Sequence, residues 1–123
     1  MNFGDIALRF LFTRDQIKIY HWQTTSFARH KSSDNLVDSL SSKLDKFIEV
    51  MQGKYGRIII PKNTYSFFNV DDESIVDILN EFRQWLIMDL PKPFDKKKDS
   101  DLMNIRDDIL ADINQTLYLF TFE

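Results

Sequence analysis

A chain of 123 residues, 43% of them hydrophobic, fits one domain spanning 1–123 and can bury a single core. It has no cysteine, which excludes a disulfide framework, thiolate zinc sites and cysteine nucleophiles, so a metal would need nitrogen and oxygen ligands. With a formal net charge of −3 and its lysines interspersed with acids, it has no broad basic surface of the kind that neutralises phosphates, so nucleic acid is not an expected partner.

Three glycines and three prolines punctuate long segments in which apolar residues recur at helical spacing, the pattern of an all-α chain. The first helix is predicted over roughly 5–24, with Ile6, Phe10 and Ile17 on one side and Leu8, Phe12 and Ile19 on the other, so it should be buried on two sides. The second runs over roughly 26–52 on a stripe of Leu36, Leu40, Leu44, Phe47 and Met51, and Gly53 and Gly56 should stop it. The segment 55–70 contains an isoleucine run before Pro61. A lone strand would have nothing to pair with, so this segment is expected to be irregular, with at most a helical turn. The third helix follows the capping candidates Asp71 and Asp72, packs Ile75, Ile78, Leu79, Phe82 and Leu86, and is ended by Pro91. A polar turn leads to the fourth, which begins at Asp99 or Ser100 and buries Leu102, Ile105, Ile109, Ile113, Leu117 and Phe120. Four helices with one longer crossover between the second and third make a bundle. Lys96 to Lys98 and the Asp107-Asp108 pair read as solvated surface charge.

Chemistry-bearing residues concentrate in the second helix. His30 and Asp34 are spaced i, i+4, and so are Asp45 and Glu49, so each pair shares a face and could grip a metal. At 3.6 residues per turn the four side chains fall within an arc of roughly 100° beside the apolar stripe. Along the axis Asp34 and Asp45 are about 16 Å apart at a rise of about 1.5 Å per residue, too far to share an ion within one chain. The midpoint of His30 and Glu49 coincides with that of Asp34 and Asp45, between Ser39 and Leu40. A two-fold axis there would lay two antiparallel copies together, with His30 facing Glu49, Asp34 facing Asp45, and Asp38 facing Ser41 of the partner subunit. Such a carboxylate and imidazole set suits iron(II), manganese or zinc.

His21 lies on the stripe of Phe10, Arg14 and Ile17, one turn before the chain reverses. A lone histidine on an apolar stripe is more often a hydrogen-bonded core residue than a ligand. The other histidine of the chain, His30, is what draws His21 into the candidate set. Trp22 could donate an electron to a neighbouring oxidised centre, but an aromatic at a helix end usually packs, and it is read as packing. Arg14 would pair with a buried carboxylate or face solvent.

The run His21-Trp22, then His30 with Asp34, then Asp45 with Glu49 resembles the ferroxidase motif of the Dps mini-ferritins. There a His-Trp pair ends one helix and a His, Asp, Asp, Glu set lies on the next. From His30 onward the spacings match, whereas the stretch from His21 to His30 is shorter. The segment from His21 to Arg57 is also similar to a compact family found in phages and large viruses. Residues 5–56 carry the likeness, which is general thereafter. It implies a ferritin-like four-helix bundle, a homodimer, and an iron site at the dimer interface with metal ligands His21, His30, Asp34, Asp45 and Glu49. The implied reaction is oxidation of iron(II) by peroxide or dioxygen, a chemistry of oxidative stress, and dimers of this class can assemble into a shell. The lysine-rich tail that many Dps proteins use for DNA is absent, so DNA protection is not part of the expectation. The N-terminal stretch is broken by Asp5 and Arg9 and no apolar run could span a bilayer, so a soluble, cytoplasmic protein is expected, in the host cytoplasm if viral.

Two rival classes remain. One is a metal-free or structurally metallated helical dimer serving as an interaction or structural protein; its weakness is that Asp34 would face Asp45 of the partner subunit with no cation between them. The other is a dinuclear hydrolase, for which the chain offers no Gly-rich phosphate loop, HExxH helix or GxSxG elbow.

Overall fold

In the computed structural model, which describes residues 2–122, the chain opens with a capping box. The Asn2 side chain accepts the Asp5 N–H at 3.2 Å and the Asp5 carboxylate accepts the Asn2 N–H at 3.3 Å, satisfying donors that a helix start leaves free. The helix it begins, α1 (Phe3–Gln23), ends at Thr24, and Ser26 caps α2 (Phe27–Tyr55) by accepting the Arg29 N–H. The reversal between them is therefore a tight one.

One boundary differs from expectation. α2 continues through Gly53 and stops at Gly56, whose φ of 89° favours glycine. An interior glycine costs only about 1 kcal/mol relative to alanine, and the extra turn is tied down by its own side chains. Lys54 donates to the Lys98 carbonyl at 2.8 Å and to Asp101 at 2.9 Å, and the Tyr55 hydroxyl donates to Asp99 at 2.6 Å.

The remaining helices are α3 (Asp72–Met88), capped by Asp71, and α4 (Ser100–Leu119). Asp99 stands at the N-cap of α4 without capping it, because its buried carboxylate accepts from Tyr55 and from the Asp95 N–H instead. Burial alone would raise the Asp99 pKa, but the Tyr55 hydroxyl, the Asp95 N–H and Lys54 together hold it below the usual carboxylate range. In return, the hydrogen bond to Asp99 does most to push the Tyr55 phenol up to about 12.

Among the described residues there are four helices and no strand, arranged as a four-helix bundle. α1 and α4 each pack on α2 and α3, while the backbones of the diagonal pairs stay apart, and Arg29 of α2 reaches across one diagonal to donate to the Asp72 carbonyl of α3 at 3.1 Å. Phe10 of α1 meets Phe47 of α2 and Phe82 of α3 edge-on, with centroids 5.4 and 6.1 Å apart. α4 adds Leu102, Ile109 and Ile113 to the same core. Among the described residues no helix is long and apolar enough to cross a membrane.

Residues 56–71 form an irregular strap without the helical turn that was allowed for there. Side-chain amides replace the backbone partners a regular element would supply. Gln52 accepts the Ile58 N–H at 3.2 Å, and Gln16 of α1 accepts the Phe68 N–H at 3.2 Å and donates to its carbonyl at 3.3 Å. Gln23 accepts the Val70 N–H at 2.7 Å. Phe12 stacks on Tyr65 and Phe67 of the strap, so the second apolar side of α1 is covered by the strap rather than by a helix. The strap also lies so close to Gly4 that a Cβ there would collide with the Ile59 carbonyl, while nothing surrounds Gly53. Gly4→Ala should therefore destabilise the fold by about 1–3 kcal/mol, and Gly53→Ala should stabilise it by up to about 1 kcal/mol. Urea denaturation of the two variants checks this, and midpoints moving in the same direction would contradict it.

Candidate metal centre at the α1–α2 reversal

The tight reversal puts the last turn of α1 beside the first turn of α2, and with them both histidines of the chain. Their rings stack with centroids 3.9 Å apart and an interplanar angle of 18°. The His21 Nδ1 lies 2.7 Å from the His30 carbonyl oxygen, and the His30 Nδ1 lies 2.8 Å from the His21 carbonyl oxygen. A carbonyl can only accept, so each Nδ1 must carry a proton and donate it. The consequence is a fixed tautomer: in the neutral rings both Nε2 atoms keep their lone pairs. This is how metal-binding histidines are commonly held, with the far nitrogen anchored to a backbone carbonyl.

Asp34, one turn beyond His30, brings its Oδ1 to 3.7 Å from the His21 Nε2. The same oxygen is 3.5 Å from the Lys18 Nζ, and both of these side chains are partly solvated. His21 is buried and His30 is half-buried. The buried hydroxyl of Ser33 bonds back to the Arg29 carbonyl at 2.7 Å and lies 3.5 Å from the His21 Nδ1, closing the floor of the pair. Three of the predicted residues, His21, His30 and Asp34, thus gather at one end of the α1–α2 face, and the short turn does not separate His21 from the rest.

Asp45 and Glu49 lie further along α2, exposed and with no hydrogen bond or ion pair among the described residues; Asp38 is exposed between the two groups. Within one chain, no set of three or more His, Asp or Glu side chains among the described residues converges tightly enough to hold a metal ion. The donor types are chemically apt for a metal, with imidazole lone pairs and carboxylates on one face, but within one chain they stand as two separate groups.

The DUF5856 family model matches residues 21–120. The chain belongs to this family of unknown function. The DUF5856 match begins at His21 and so takes in all five candidate ligands while leaving out Lys18. No curated protein and no solved structure matches the chain.

Two contributors at this centre were missed in the sequence. Lys18 sits three residues before His21, on the same helical face, a spacing that could have flagged it as a counter-charge to Asp34. Ser33 carries no signal distinguishable from its serine neighbours. Arg14 pairs with the adjacent Asp15 at 3.1 Å. Trp22 is not buried within the chain: it is 68% exposed.

Proposed function

We propose that this protein is a ferritin-like, Dps-like ferroxidase that forms a two-fold dimer on α1 and α2 and oxidises iron(II) at two equivalent interface sites. Each site would take His21, His30 and Asp34 from one chain and Asp45 and Glu49 from the other. The supporting observation is the reciprocal clasp of the histidines, because it leaves both Nε2 lone pairs free, that of His21 facing Asp34 at 3.7 Å. A purely structural clasp has no need of a carboxylate on the open side of the pair. The long strap between α2 and α3 and the square packing of the helices are also what a ferritin-like arrangement requires.

Iron(II) is the substrate here, and carboxylate-rich sites favour the ferric product because hard oxygen donors and negative charge stabilise it. A pair of iron(II) ions gives one electron each to peroxide, which takes up a pair of protons and leaves as water. The chain's own part is to hold the imidazoles by their Nδ1 protons, to supply the carboxylates, and to move Lys18 off Asp34 when a metal arrives.

Lys18 also supports the second reading, a metal-free dimer used as an interaction or structural protein. Its ammonium offsets the charge of Asp34 and would ease the repulsion from Asp45 of the partner subunit. Isothermal titration of metal-free protein with iron(II) under argon, zinc and manganese separates the two. Saturable binding at two equal sites per dimer is expected, and absence of heat with all three metals would favour the metal-free dimer.

A further inference from the structure

An exposed knob and an apolar groove sit on the same face as the candidate ligands, at opposite ends of it. The knob is Trp22, which follows His21 and therefore lies at the level of His30 on α2. The groove, about 360 Å³ in volume, is lined by Ala7 and Leu11 of α1, Ile48 of α2, and Ile58 and Ile60 of the strap, with Asp45 and Glu49 on its rim. The two-fold that sets His30 opposite Glu49 of the partner subunit exchanges these two ends. With that axis lying in the interface and crossing the helices, α1 faces α1, and Trp22 comes over the Ile48, Ile58 and Ile60 end of the other copy.

We infer that Trp22 of each chain inserts into the strap-bounded groove of the other, so that the occupant of the groove is a second copy of this chain. This rests on the dimer proposed above, but on different residues from those that define its metal sites. An isologous interface must be self-complementary, with knob and hole on one surface and related by the same axis. The axis was set by histidine and carboxylate spacing alone, yet it brings the apolar knob to the apolar groove. A buried tryptophan at the centre of an apolar pocket is the usual form of an interface anchor. Its placement also explains the strap: residues 58–60 form one wall of the hole and, at Gly4, are held hard against α1.

The chain has no cysteine, so disulfide trapping is clean. Within one chain Ile60 lines the groove beside Ala7 and Leu11, about 16 Å or more along α1 from Trp22 at a rise of about 1.5 Å per residue. A disulfide needs Cα atoms within about 7 Å, so Trp22→Cys with Ile60→Cys can close only between chains. Mild oxidation should give a covalent dimer, and Trp22→Cys with Ile87→Cys, on the exposed side of α3, should not. Trp22→Ala should weaken dimerisation about thirtyfold by sedimentation equilibrium, the size of an interface hot spot. A dimer that binds metal normally yet fails to crosslink and ignores Trp22→Ala overturns this inference and leaves the proposed function standing. A monomer at high concentration overturns both.

Discussion

A mixed dimer combining a His30→Ala/Asp34→Ala chain with an Asp45→Ala/Glu49→Ala chain is expected to bind half the metal of the wild-type dimer, while neither variant homodimer binds any at the same concentration. Asp34 and Asp45 are about 16 Å apart along one helix, and His21, His30 and Asp34, though neighbours, do not converge tightly enough within one chain to hold an ion. Under the proposed function each site draws on both chains. In the mixed dimer one site keeps every ligand and the other loses all but His21. The effect is all-or-none, which makes it insensitive to small errors in affinity. Homodimers that each retain half capacity would mean that the pairs act within their own chains, and loss of both sites in the mixed dimer would mean that the ligands are not shared across the two-fold.

His21→Asn separates the two roles that His21 could play. The asparagine amide nitrogen can stand near the position of Nδ1 and donate to the His30 carbonyl, preserving the clasp. It has nothing at the position of Nε2, which faces Asp34. Stability should stay within about 1 kcal/mol of wild type, the worth of a retained hydrogen bond. Metal affinity should fall by about a hundredfold or more, roughly 2.8 kcal/mol. His21→Ala should lose both. Chemical denaturation and zinc titration of the two variants give the comparison, and unchanged affinity in His21→Asn would reduce His21 to a clasp between helices.

What was legible in the sequence is what residue type and period encode. The apolar stripes located all four helices, and Ser26 and Asp71 marked two of the starts. The end of α2 was misplaced because Gly53 is only mildly unfavourable in a helix, while the bonds that extend it reach residues more than forty positions away. Asp99 was legible as a start of α4 but not as a buried acceptor for Tyr55, a role set by tertiary packing. The strap was recognisable as irregular but not as a cover for α1. Its anchors, Gln16 and Gln23, act on backbone groups, and a backbone acceptor has no residue letter. For the same reason the histidine clasp could not be foreseen: each Nδ1 bonds a main-chain carbonyl that any residue would have supplied. The i, i+4 pairs on α2 could be read directly, since both lie on one helix of known rise.

The most direct test of the ferroxidase proposal is to mix metal-free protein with iron(II) under argon, add peroxide, and follow formation of the ferric product by stopped-flow absorbance. Wild type should oxidise iron faster than buffer, with a pair of iron(II) ions consumed per peroxide, while Asp34→Ala and Glu49→Ala fall back to the buffer rate and zinc inhibits by holding the same ligands without redox chemistry. If wild type and both variants oxidise iron at the buffer rate while wild type still binds zinc tightly, the centre is structural and the ferroxidase proposal is wrong.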